Sequence, residues 1–395
     1  MRFFHITLCT ILIIIGEPAV HAKLRFNHIT TKEGLSQSTI NCIHQDFRGF
    51  IWIGTFDGLN RYDGHQFKIY RENPLNPNSI SYDAISCIYE NPADSTLWIG
   101  TRNGGLNSYN RKRDNFTVYR HNKQNPLSIA NNRISALLTD QNKQLWIGTY
   151  GNGLCAFNST DSTFFRPEFT NQYEFRSIYS LAIDNSGDIW IGTHTGLFRW
   201  KKKDQKENKE PERITLPQLP NGTTIAALEF DFKGNLWIGT SNKGLIKYHP
   251  ISRNYIHFLK SSKNNLSPFI IRDILQTHNG KIWVATDKGL FEYIPKTNRL
   301  EMNVNNPDDK ESLNSDEIMA LGEDQSGTLW IGTFSRGLNK LNPGYTRFKT
   351  YKNLVSYQER HNDYNDIRGI CRDNDNNLWI CTQKGLLQTN VGMIK

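Results

Sequence analysis

Residues 51–59 read Ile51-Trp52-Ile53-Gly54-Thr55-Phe56-Asp57-Gly58-Leu59. A short β-branched and aromatic run meets a turn, and a leucine follows. The phrase returns around Trp98, Trp146, Trp190, Trp237, Trp283, Trp330 and Trp379, at spacings of 44 to 49 residues. Of the nine tryptophans only Trp200 falls outside the series. A period near 47 residues points to a repeat architecture rather than to separate domains.

Working outward from Trp52, four short runs of period two appear. They are Ile40 to Gln45, Phe50 to Thr55, Leu59 to Tyr62 and Phe67 to Tyr70, separated by Asp46-Phe47-Arg48-Gly49, Phe56-Asp57-Gly58 and Asp63-Gly64. Asp can bond its own backbone in such turns, and Gly tolerates positive φ. A break every five to seven residues excludes helical solenoids, which need apolar residues at i, i+3, i+4 and i+7. Four antiparallel strands per repeat describe the blade of a β-propeller. Named a to d from the axis outward, the strands place Trp52 and its equivalents on strand b, between blades. The Gly after Trp-Ile lets the adjacent blade approach. These motifs are therefore core, and no catalytic residue is assigned among them.

Leu97 to Leu106 carries the phrase Leu-Trp-Ile-Gly-Thr-x-x-Gly-Gly-Leu intact, and Ile29 to Ser36 and Asp57 to Gly64 bracket the first copy. This pattern resembles the two-component regulator propeller repeat, from about residue 24 to the end. It is similar to the amino-terminal sensor region of hybrid two-component systems of gut Bacteroidetes. Two repeats depart from it, with Val284-Ala285 for Ile-Gly and Cys381 for Gly, and local repacking is expected there. The resemblance implies a periplasmic sensor of polysaccharide breakdown products. Family members add a second propeller, an immunoglobulin-like domain, a membrane helix, and kinase and regulator modules. No phosphoacceptor-histidine module, ATP lid or receiver domain is visible here, so kinase activity is not carried over. A fragment of a sensor and a short stand-alone relative both fit.

Residues 1–22 have the form of a signal peptide: Arg2, an apolar run from Ile6 to Ile15, and Val20-His21-Ala22 as cleavage site. Its removal takes Arg2 and Glu17 and leaves the formal net charge at +9. Residues 23–344 are expected to be the propeller sensor domain. Residues 345–395 are the eighth repeat, either the start of a second propeller or a closing blade. In a seven-bladed ring, Leu24 to Thr30 completes the blade of Trp330, and Arg347 to Tyr351 opens the next propeller. In an eight-bladed ring, Leu24 to Thr30 joins the blade of Trp379. The bookkeeping of this chain alone fits eight blades slightly better, the resemblance implies seven, and seven is the favoured count.

Five cysteines remain after cleavage, Cys42, Cys87, Cys155, Cys371 and Cys381, without metal-ligand spacing. Four of them stand where other repeats carry Ala, Ser, Gly or another short side chain, and they read as small core residues. Lys201 to Pro220 is the longest insertion, a charged loop. Asp373-Asn374-Asp375 begins like a calcium loop but lacks the glycine at its sixth position, so no metal is assigned. Asp273 is the odd member of the set Cys42, Cys87, Ala136, Ser180, Ala227, Ala320 and Gly369. No cofactor is called for, and nothing resembles a nucleic-acid module.

Function is expected on one face of the ring, where the d-to-a connections and the b-to-c turns gather. That face collects Tyr82, Arg133, Arg176, Arg272 and Arg368 from the approaches to strand a. From the b-to-c turns it takes Phe56, Arg102, Tyr150, His194, Phe334 and Arg336. Flat aromatic faces with planar polar groups suit sugars, and arginine forks suit carboxylates. An oligosaccharide, possible in an acidic form, is the expected ligand. A secreted polysaccharide-cleaving propeller enzyme and a protein-interaction scaffold, with dimerisation through one face, are the competing readings.

Overall fold

The computed structural model describes residues 24–217, 219–259, 269–342, 367–373, 377–382 and 385–390. The chain divides into two compact units, Met1–Pro343 and Gly344–Lys395. The signal sequence and the segment from Arg347 to Tyr351 lie outside the described residues.

The described part of the first unit contains seven four-stranded antiparallel sheets. Blade 1 is Ile40–Gln45, Ile51–Thr55, Leu59–Tyr62 and Phe67–Tyr70 in the order a-b-c-d. The a strands of blades 2 to 7 are Ile85–Glu90, Ile134–Thr139, Ile178–Ile183, Ile225–Phe230, Ile271–Gln276 and Ile318–Glu323. Each packs against the a strand of the next blade, and that of blade 7 packs against Ile40–Gln45, so the series runs back to its start. Blade 7 takes its fourth strand from the other end of the unit. Asn27–Ile29 pairs antiparallel with Leu338–Leu341, with Ile29 opposite Leu338. The Phe26 N–H also donates to Glu311 O, as the d-strand residues Phe116 and Phe164 donate to Asn78 O and Leu127 O in blades 2 and 3. The first strand thus closes the Trp330 blade.

Blades pack through the repeated phrase. All five residues of strand b in blade 1, Ile51 to Thr55, are buried. A Cβ on Gly54 would sit 2.5 Å from Cys42 Sγ and 2.6 Å from the Ile85 side chain of blade 2. No larger residue fits this close approach without displacing its neighbours. Blade 6 manages with Ala285, which faces Asp273 across the a–b pair.

The aspartate of the a-to-b turn has a second task. Its carboxylate accepts backbone N–H groups of the turn, and its other oxygen accepts the indole N–H six residues on. Trp52 bonds Asp46 at 2.9 Å, Trp146 bonds Asp140 at 3.0 Å, Trp237 bonds Asp231 at 3.0 Å and Trp330 bonds Asp324 at 2.8 Å. Blades 2 and 6 break the rule. Asn91 and Thr277 stand in place of the aspartate, and in blade 2 the Trp98 Nε1 is buried without a partner among the described residues.

Trp200 anchors the insertion that follows it. Its ring meets Trp146 and Phe169 edge to face, and its N–H donates to Lys209 O at 2.7 Å. The segment read as a charged loop differs in detail: Lys202–Lys206 is one short helix, and Glu212–Ile214 is the d strand of blade 4.

In the second unit, Ile367–Arg372, Asn377–Thr382 and Gly385–Asn390 form a three-stranded sheet in which Trp379 donates to Asp373 at 2.7 Å. Cys371 and Cys381 are exposed there, unlike buried Cys155, so the small-core reading of the cysteines does not extend to them. Among the described residues no helix is long and apolar enough to cross a membrane.

Candidate functional site

The face formed by b-to-c turns and d-to-a connections is held by backbone bonds. The threonine closing each phrase folds its turn: Thr55, Thr101 and Thr149 donate through Oγ1 to the carbonyls of Gly58, Gly105 and Gly153 at 2.8 to 2.9 Å. Gly58 holds φ at +106°, and a Cβ there would stand 2.8 Å from Tyr70 O. That conformation is open to glycine and costly for other residues. The first residue of the turn then reaches its own blade, as Arg102 N–H donates to Ala84 O and Tyr150 N–H to Arg133 O, each at 2.9 Å. The glycine reaches the next blade, as Gly58 N–H donates to Asp83 O and Gly105 N–H to Asn132 O, also at 2.9 Å. Turn and neighbouring connection form one rigid rim, and the side chains between these bonds are left over for other work.

Four of the eleven expected site residues meet in an arc over blades 1 to 3. The Arg102 guanidinium lies 4.4 Å from the Phe56 ring centroid, and that of Arg133 lies 5.4 Å from the Tyr150 centroid. Both arginines are exposed, and Phe56 and Tyr150 are half-buried. The Tyr150 ring also meets Tyr179 edge to face at 5.0 Å. Burial raises the pKa of the Tyr150 phenol, Tyr179 adds to the shift, and the charges of Arg102 and Arg133 oppose it. The phenol is therefore a hydrogen-bond donor near neutral pH, and its hydroxyl has no partner among the described residues.

The arc continues into blade 4. The Arg176 carbonyl accepts from both Gly151 and Gly153, which fixes it beside the Tyr150 turn, and its side chain is exposed. His194 packs edge to face on Tyr173, 4.9 Å between centroids, and Tyr173 is 64% exposed. Tyr82 is exposed in the connection that leads into blade 2. The remaining residues are elsewhere. Arg272 is exposed on strand a of blade 6, whereas Phe334 and Arg336 sit in the turn of blade 7. The Phe334 carbonyl accepts from Thr39 Oγ1, and the Arg336 carbonyl from Asn314 Nδ2. Arg368 belongs to the second unit.

Tyr179 was not among the expected residues. It occupies the second position of strand a, where every blade has a bulge: pairing skips from Ile178 to Ser180, as it skips from Ile40 to Cys42. A bulge re-aims the residue it leaves unpaired. Other blades hold Asn41, Ser86, Ser135, Ala226, Arg272 and Met319 there, so an aromatic at this position was the available signal.

Deeper in, on the innermost strands, Asp273 accepts from the Leu321 N–H of blade 7 at 2.8 Å and from Ile274 N–H at 2.9 Å. Burial pushes its carboxyl up to about 6. Glu229 of blade 5 is pushed up to about 8, by burial first, with the nearby Asp273 adding to the shift. Both carboxyls are enclosed, and Glu229 holds its proton to higher pH than Asp273 does.

The family model for the two component regulator propeller matches residues 34–57, 128–151, 173–195, 312–335 and 363–384. Each match ends on or just past a strand b, in five of the repeats counted above. A histidine kinase of Formosa agariphila is 49% identical over 67 residues, which is 17% of this chain and 5% of that protein. Among solved structures, the extracellular domain of a hybrid two component system from B. thetaiotaomicron superposes with a TM-score of 0.72 at 24% identity. That match covers 94% of this chain and 48% of that one. Virginiamycin B lyase from Staphylococcus aureus, in a catalytically inactive form, superposes with a TM-score of 0.59 at 14% identity, over 81% of this chain and 99% of the lyase. At these identities the structural likeness speaks for the fold, a β-propeller. The chain spans about half the length of the extracellular domain it matches.

Proposed function

We propose that this chain, built on repeats of the two-component regulator propeller family, is the ligand-sensing part of an exported signalling receptor. Its ligand is an oligosaccharide, bound on the face of the b-to-c turns. The observation that carries this reading is the arc of Phe56, Arg102, Arg133, Tyr150 and Tyr179: flat rings and planar donors, fixed from behind by backbone bonds. Stacking on aromatic faces together with forked donors is the chemistry that sugars require. The matched repeats, the short stretch shared with a histidine kinase and the likeness to extracellular domains of two-component systems support a periplasmic setting and coupling to a phosphorelay.

Calorimetric titration of the purified chain against a panel of oligosaccharides, with chromatography of each mixture, tests this. Saturable binding without products, lost in the Tyr150→Ala variant, is expected. Turnover of a bound glycan would move the chain to the enzyme class, and binding unchanged by Tyr150→Ala would remove the site from this face.

A further inference from the structure

Two pairs of arginines on this face differ. Arg71, toward the outer ends of the blades, is clamped by Asp57 through two bonds of 3.0 and 2.9 Å, and Arg120 pairs with Glu72 at 3.7 Å. Arg102 and Arg133 meet no carboxylate among the described residues. Each instead has its guanidinium carbon over an aromatic ring, 4.4 Å from the Phe56 centroid and 5.4 Å from that of Tyr150. A cation held over a ring keeps its N–H donors for a further acceptor. The ring contact restricts the side chain, so less freedom is lost when an acceptor arrives. Tyr150 adds a hydroxyl with no partner, and Tyr179 closes the wall behind it.

We infer that the ligand of this face carries a carboxylate, and that Arg102 and Arg133 receive it beside the Tyr150 hydroxyl. The inference rests on the oligosaccharide reading above and narrows it to a uronate-containing saccharide. A neutral sugar laid over this face would cover two cations without giving them an acceptor, and a planar carboxylate matches the two-donor fork of each. A sulfate ester shares the negative charge and can accept from the same fork, so a sulfated probe is needed to tell the two apart. An acidic ligand also accounts for the contrast between the two groups: carboxylates of the protein neutralise the outer arginines, and the inner ones are left for the ligand.

The test uses the full chain and three probes, an oligogalacturonate, an oligomannuronate and a desulfated chondroitin disaccharide, each beside its carboxyl-reduced neutral counterpart. A sulfated neutral disaccharide forms a further arm. The expected result is that at least one uronate binds ten times or more tightly than its reduced form. Arg102→Gln and Arg133→Gln should each lower that affinity at least tenfold, with thermal unfolding unchanged, and Arg71→Gln should leave it within about twofold. A reduced counterpart binding as well as its uronate overturns the inference and keeps the oligosaccharide reading. Preference for the sulfated probe, or indifference to both arginine substitutions, overturns it likewise. Binding of no saccharide, charged or neutral, overturns both.

Discussion

The two ends of each blade use the same materials differently. At the a-to-b end the side chains do the structural work: Asp231 accepts from Lys233 N–H, Asn235 N–H, the Asn235 amide and the Trp237 indole. At the b-to-c end the backbone does most of it, through the threonine N–H bond to the turn glycine and the links between blades, with the threonine hydroxyl added. Side chains at the first end are consumed and therefore alike from blade to blade. At the second end they carry little of the fold, so Phe56, Arg102, Tyr150, His194 and Phe334 can differ. The contacts that hold the fold and the candidate site are separated along the length of a strand rather than between domains.

Breaking the first end should cost most. Asp231→Ala removes charged hydrogen bonds and leaves the Trp237 indole unpaired, a loss of about 3 kcal/mol. Denaturant unfolding would measure it, and a loss under about 1 kcal/mol would contradict the role given to this carboxylate. Ligand affinity should not change. A paired comparison comes next. Trp237→Phe forfeits the bond to Asp231, whereas Trp98→Phe forfeits none, because the Trp98 N–H is already unpartnered. Trp237→Phe should therefore be the more destabilising by roughly 1–2 kcal/mol.

The ring interior predicts a pH effect. Folding raises the Glu229 carboxyl from 4.5 to about 8 and Asp273 from 3.8 to about 6. The folded chain keeps protons that the unfolded chain has released, so stability is highest at acid pH and falls as pH rises between those values. Glu229→Gln should flatten the fall by up to about 1 kcal/mol per pH unit, read from unfolding at pH 5, 6.5 and 8. An unaltered slope would mean the carboxyl is hydrated. Smallest of all should be the stability change in Arg102→Gln, within about 0.5 kcal/mol for an exposed residue. A large loss would show that this end, too, is structural.

Much of the architecture was legible because the repeat is long-range information written locally. The tryptophan spacing, the period-two runs and the likeness of Leu24 to Thr30 to a d strand led to blades and to both closure schemes; in the structure Asn27 pairs with Lys340, as the seven-bladed scheme has it. The aspartate's bond to tryptophan was missed although Asp46 and Trp52, and Asp231 and Trp237, share a six-residue separation. Turn propensity alone already accounted for the aspartate, so nothing demanded a second role. Of the site, the turn residues could be sorted to one face from topology. Which of them meet could not, since the contact of Arg102 with Phe56 joins different blades. Tyr179 escaped because a bulge defeats the alternation by which strand residues are assigned to a face.

The strand Asn27–Ile29 has a consequence for the order of events. His28 bonds the Ser312 carbonyl across 284 residues of chain. A ribosome or translocon delivers this strand first, yet its partners in Leu338–Leu341 arrive only after all seven phrases have emerged. Until then the growing protein is an open arc with an unpaired edge at its leading end, exposed to mispairing. Closure of so long a loop is the slow, entropically opposed step. The face of the b-to-c turns, whose rim runs on from blade 7 to blade 1 through the Gly337 to Ser38 bond, is completed at that same moment. Synthesis therefore carries its own proofreading: a chain that has lost its last blade cannot fasten its first strand.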